Sequence, residues 1–142
     1  MIIEKRDLLP ERWNLHVFSE LDFDSICIKE GIQAFESSML ISGAYCVYDG
    51  SPVIFIRRDL PGPEKLFIKF HELAHHWLHF PGVQFFLNTH SKIELEANIV
   101  AACALVPRTE LLSRSAAEIC EEYGYRPELL ALRADIYRMW DI

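Results

Sequence analysis

From its N-terminus the chain passes from irregular apolar patches to strand-like runs, and then to long stretches with helical spacing. Over residues 1–20, Trp13, Leu15, Val17 and Phe18 fit no clear period and suggest a partly buried approach segment or short helix. Asp24 is placed to cap a short helix that carries Ile26 and Ile28 and stops at Gly31. Aspartate accepts from the first unpaired amides of a helix, and glycine takes the left-handed turn at its end. Residues 32–36 then read as a strand. The clearest strand signal follows, where the apolar runs 43–48 and 53–56 flank Asp49-Gly50, a dipeptide that tolerates the positive φ of a tight hairpin. The second run is apolar without alternation, which predicts cover on both faces.

Pro61-Gly62-Pro63 breaks the chain, and residues 64–79 then carry Leu66, Phe67, Phe70, Leu73, Ala74, Trp77 and Leu78 at helical spacing, up to a stop at Pro81-Gly82. A loop around residues 88–90 leads to Ser91-Lys92-Ile93-Glu94, a capping-box pattern opening a helix through Ala97, Val100, Ala101, Ala104 and Leu105 to Pro107. Ser115 and Glu118 repeat that signature for a helix ending near Gly124. Pro127 suits the first turn of a last helix through Leu130, Ala134, Ile136 and Trp140. The expected fold is α+β: a small N-terminal sheet with its hairpin packed on the helix of residues 64–79, followed by a helical C-terminal half. No repeat or linker divides the chain, and 142 residues that are 51% hydrophobic predict one domain over residues 1–142.

Charge and cysteine usage narrow the class. A formal charge of −7 and a pI near 5.3 argue against holding nucleic acid through a cationic face, while leaving a protein partner open. Cys27, Cys46, Cys103 and Cys120 are far apart and form no CxxC pair, so they read as reduced and buried. Glu4, Lys5, Arg6 and Asp7 interrupt any signal-like apolar run and no later run has the length of a membrane span, which makes the cytoplasm the expected compartment.

The chemistry concentrates in FHELAHHWLHF, residues 70–80, which holds four of the six histidines. On a helix His71 and His75 share a face, so two imidazole nitrogens can reach one ion at about 2.0–2.1 Å. Glu72, offset by about 100°, reaches a water on that ion rather than the ion itself, which gives an HExxH arrangement of two ligands and a base. Burying such a trio without a partner is costly, and a metal ion satisfies all three. His79 lies about 12 Å along the axis from His71, too far to share the ion, and is either a support for the ligands or a wet helix end. His76 points away and reads as a surface or packing residue.

A catalytic zinc needs a third protein ligand. The extended motif with a third histidine is excluded, because Leu78 and Pro81 stand where its glycine and histidine belong. Glu94 and Glu96 on the next helix remain, about 200° apart, so only one can face the ion. Glu96 lies beside Ile99, Val100 and Cys103, while Glu94 fits a capping role and has Asn98 one turn on. A carboxylate in an apolar wedge needs a compensating charge, which favours Glu96 as the ligand.

Taken together, HELAHHWLH and the later ELEANIVAACALVP resemble the ImmA/IrrE family of small zinc-dependent metallopeptidases, with Ala104 in place of a leucine usual in the second motif. The hairpin GAYCVYDGSPVIFI is similar to the strands before the motif helix, and the resemblance covers roughly residues 20–110. It implies a zincin-like fold, zinc (with manganese as the other metal in view) on His71, His75 and Glu96, and Glu72 as the catalytic carboxylate. It also implies a protein substrate: better understood members cleave, or cause the cleavage of, a helix-turn-helix repressor in phages, mobile elements or stress responses. The competing expectation is a metal-stabilised binding module that inactivates a repressor by docking, using aromatics such as Trp77, Phe85, Phe86 and Trp140. An intact Glu72 favours the enzyme, since a pure binder needs no base. Tyr123, Tyr125, Arg126 and His79 are the conceivable donors to an oxyanion, and sequence does not choose among them.

Overall fold

The computed structural model describes residues 3–79 and 91–142. A 3-10 turn at Arg6–Leu8 precedes α1 (Glu20–Glu30), β1 (Gln33–Ser37), β2 (Gly43–Tyr48), β3 (Ser51–Arg57), α2 (Gly62–His79), α3 (Ser91–Leu105), α4 (Arg108–Ser113), α5 (Ala116–Tyr123) and α6 (Pro127–Trp140). The α+β order expected from the sequence is the order observed. The stop at Pro81-Gly82, the loop around residues 88–90, Phe85, Phe86 and the Ser91 side chain lie outside the described residues.

The punctuation works largely as local chemistry dictates. Gly31 and Gly124 close α1 and α5 at φ of 70° and 73°, and Asp49-Gly50 makes the hairpin at 50° and 79°. Two boundaries differ from the expectation. The cap of α1 is Ser19 and not Asp24: Ser19 Oγ accepts from the Asp22 amide at 3.3 Å and Asp22 Oδ2 accepts from the Ser19 amide at 2.8 Å. That reciprocal pair satisfies two amides where a lone aspartate satisfies one. The helix α4 was not foreseen, since Pro107 read only as a stop; at φ −66° it ends one helix and serves as N-cap of the next.

The sheet has the order β1-β3-β2, with β1 parallel and β2 antiparallel to the central β3. Ile54 and Ile56 of β3 are fully buried on the core face. On the other face Phe55 is only half-buried and stacks on Phe35 at 5.8 Å, so the cover expected on both faces is partial. Helix α2 lies between β2 and β3 on one side and α3 on the other. Phe70, Leu73 and Ala74 fill its contacts with the core.

From Ile99 to Val106, α3 and the residue that follows it are buried throughout, and their chain is tied at the C-terminal end. Trp13 Nε1 donates to Val100 O at 3.0 Å, Tyr125 Oη to Leu105 O at 3.0 Å, and the buried Arg133 Nε to Val106 O at 2.5 Å. The bonds to Leu105 O and Val106 O satisfy carbonyls that a helix end leaves open, and with the bond to Val100 O they fix the roll of α3 about its axis. The four cysteines are free; burial pushes the Cys27 and Cys103 thiols up to about 12 and about 11, which suits inert packing residues. Among the described residues no helix is long and apolar enough to cross a membrane.

Candidate metal centre

Helix α2 brings His71 and His75 to one face, as their four-residue spacing requires. Facing them from α3 is Glu94: its Oε2 lies 3.0 Å from His71 Nε2 and its Oε1 lies 3.2 Å from His75 Nε2. One donor atom from each of the three falls within 4.8 Å of the others. Bonds of about 2.0–2.1 Å at tetrahedral angles place donors roughly 3.3 Å apart, so the cluster has the dimensions of a zinc site.

The remaining imidazole nitrogens are committed to protein partners. His71 Nδ1 lies 2.9 Å from Asn98 Oδ1, an acceptor that holds the ring proton on Nδ1 and leaves the Nε2 lone pair turned toward Glu94. His75 Nδ1 lies 2.9 Å from His79 Nδ1, and His79 Nε2 lies 3.5 Å from Glu96 Oε1. One assignment of protons satisfies the whole chain: His75 donates to His79, and His79 donates to the Glu96 carboxylate. Burial holds the His75 pKa down to about 3, with the neighbouring His71 and His79 adding to the effect. His75 is therefore a neutral ring with a lone pair to give at ordinary pH.

The carboxylate at the histidine pair is thus Glu94, and Glu96, the expected third ligand, sits elsewhere. Glu96 does occupy the more buried position, with 13% of its side chain exposed against 33% for Glu94. The partner it meets there is His79. The missed signal was Asn98: a second polar side chain one turn from Glu94 marks the polar face of α3, the face turned toward α2.

Glu72 is 6% exposed, and burial, reinforced by the charge of Glu94, pushes its carboxyl up to about 8. It lies against the start of β2. A Cβ at Gly43 would fall 3.1 Å from Glu72 Oε2 and 2.5 Å from Ile68 Cγ2, so the glycine is what lets the strand approach the carboxylate. Sequence reasoning did not single out Gly43.

His76 turns to the other side, as expected. It is a packing joint: its Nδ1 lies 2.9 Å from the Tyr45 hydroxyl and its Nε2 3.2 Å from Glu30 Oε1, to which Trp77 Nε1 also donates. Of the conceivable oxyanion donors, only His79 reaches the cluster. Tyr125 is spent on Leu105 O and stacked by Tyr123 at 5.3 Å, and Arg126 Nε pairs with Glu64 at 2.6 Å.

Two imidazoles, a carboxylate and a second, buried carboxylate in this arrangement suit a divalent metal with a base beside it. Comparison with known proteins agrees with the class of chemistry. The model of the M78 peptidase family, described as the IrrE N-terminal-like domain, matches residues 27–133, about three quarters of the chain. Searches against curated proteins and against solved structures return no match. The matched span runs from α1 into α6 and contains the whole histidine and glutamate cluster, and on that ground the chain belongs to the IrrE N-terminal-like peptidase family.

Proposed function

We propose that the protein is a zinc-dependent endopeptidase, with His71, His75 and Glu94 as the metal ligands and Glu72 as the general base. The observation that carries this reading is the convergence of the two Nε2 atoms and one carboxylate while both Nδ1 atoms bond to protein partners. Zinc bound there would supply Lewis acidity and acidify water. Glu72, buried one residue from a ligand, takes the proton from the attacking water and delivers it to the leaving amine nitrogen. Burial raises the Glu72 carboxyl in the metal-free site, and a divalent cation bound beside it would draw it down again and leave the carboxylate ionised to take the proton.

The substrate lies as an extended segment along the outer edge of β2, which has no strand partner among the described residues and starts at Gly43 beside Glu72. Its identity as a helix-turn-helix repressor rests on the resemblance to ImmA/IrrE proteins, and the net charge of −7 accords with a basic, DNA-binding partner. The test mixes zinc-loaded protein with a candidate helix-turn-helix repressor and looks for fragments. Cleavage by wild type, with none by Glu72→Gln at unchanged zinc content, is the expected result. Equal loss of repressor function with both proteins and no fragments would mean docking in place of hydrolysis.

A further inference from the structure

Outside the metal centre, the described residues form a mainly apolar groove of about 330 Å³ between the first turns of α2, the residues before β2 and the corner joining α5 to α6. Phe67 and Ile68 of α2 face Leu129 and Leu132 of α6 across it, and Leu60 and Ser42 complete its floor and end. All four facing side chains pack on the core yet are only half-buried, so part of their apolar surface is left open to the groove. The ion pair of Arg126 with Glu64 ties the start of α6 to α2 at its rim, where Glu128 is a further, exposed charge.

The groove and the centre are neighbours. Ile68 precedes His71 by three residues and Glu72 by four, which places it on the same face of α2. A side chain at Gly43 would meet both Ile68 and the Glu72 carboxylate, and Ser42, just before it in the chain, is part of the groove. Space that adjoins the base through Gly43, is lined mainly by apolar side chains and is near the small end of the roughly 300–1,000 Å³ range of ligand pockets fits one apolar side chain.

We propose that this groove binds a leucine-, methionine- or phenylalanine-sized side chain of the substrate next to the scissile bond and so sets where the chain is cut. The proposal rests on the peptidase reading. Burying such a side chain discriminates against a peptide that lacks it on the order of 10- to 200-fold.

Two readouts separate the groove from the peptidase reading. In the first, zinc-loaded protein digests a degenerate peptide library and the cut sites are mapped by mass spectrometry. Wild type is expected to prefer Leu, Met or Phe beside the cut; Leu129→Trp, which fills the groove, shifts the preference to Ala or Gly; Leu129→Ala, which widens it, shifts the preference to Phe or Trp. Opposite shifts are not what a common loss of stability produces. In the second, N-acetyl-leucinamide is titrated into zinc-loaded protein followed by amide NMR. Shifts centred on Ile68 and Leu132, absent with N-acetyl-aspartamide and lost in Leu129→Trp, are expected. Cutting with a preference that neither substitution moves, or leucinamide shifts away from the groove, overturns the proposal. Groove binding with no cleavage of any peptide supports the pocket and overturns the peptidase reading.

Discussion

Helix α2 displays histidines on two sides, and the sides differ in what the second ring nitrogen does. On one side His71 and His75 give Nδ1 to Asn98 and His79 and converge through Nε2 on Glu94. On the other, His76 divides its nitrogens between the Tyr45 hydroxyl and Glu30, on two different elements. The first arrangement aims lone pairs at a common point. The second uses the ring as a polar rivet between α2, β2 and α1. Histidine content alone does not mark a candidate ligand; the ring whose outer nitrogen is bonded, and whose inner one points at other donors, does.

The sharpest way to break this contrast is to remove a ring from each side. His75→Ala is expected to lower zinc affinity by more than 100-fold, since it takes away a donor and not merely the support of one; a competition titration against a chelator measures it. His76→Phe is expected to leave zinc affinity unchanged. Zinc loss in His76→Phe, or its retention in His75→Ala, would erase the distinction.

Substitutions in the supporting residues come next in size. Asn98→Ala and His79→Ala are expected to weaken zinc by about 10- to 100-fold, because each frees a ring to rotate and to take the wrong tautomer. The same titration gives the answer, and an effect below threefold in both would show that the Nδ1 bonds do not matter.

His76→Phe acts on stability. It removes one hydrogen bond each from Glu30 and the Tyr45 hydroxyl in a partly buried joint, at a cost of about 1–3 kcal/mol in urea unfolding. The smallest effect is the pH dependence of that joint. The His76 hydrogen bond holds the Glu30 carboxyl below its ordinary value, with burial opposing and Trp77 assisting. A carboxylate depressed in the fold stabilises fully above its unfolded pKa of about 4.3 and loses that contribution as pH falls through its folded value. The advantage of wild type over Glu30→Gln, on the order of 1 kcal/mol near neutrality, should therefore shrink as pH falls below the unfolded value and through the lower folded one. An advantage that holds constant through that range would assign the joint to packing alone.

Features set by neighbours in sequence were legible before the fold was known. The Asp49-Gly50 hairpin, the stops at Gly31 and Gly124, the box at Ser115, and the pairing of His71 with His75 need only a few consecutive residues to specify them. The choice between Glu94 and Glu96 is of another kind. A helical wheel shows that the two oppose each other but does not show which way α3 is rolled. That roll is set near the far end of the helix, where Trp13, Tyr125 and Arg133 hold the carbonyls of Val100, Leu105 and Val106 from distant parts of the chain. The apolar neighbours of Glu96 correctly signalled burial, and the compensating partner proved to be an imidazole at the end of α2. Gly43 was illegible for a similar reason: only the docking of β2 on α2 shows that a side chain there would collide with Ile68 and crowd Glu72.

The claim on which the account turns is that Glu94 completes the metal centre and Glu96 supports it through His79. Zinc content of purified Glu94→Ala and Glu96→Ala, measured side by side by elemental analysis after dialysis against a chelator of intermediate strength, tests it directly. The account predicts that Glu94→Ala emerges without zinc while Glu96→Ala keeps most of its complement at reduced affinity. Zinc lost from Glu96→Ala and retained by Glu94→Ala would contradict it.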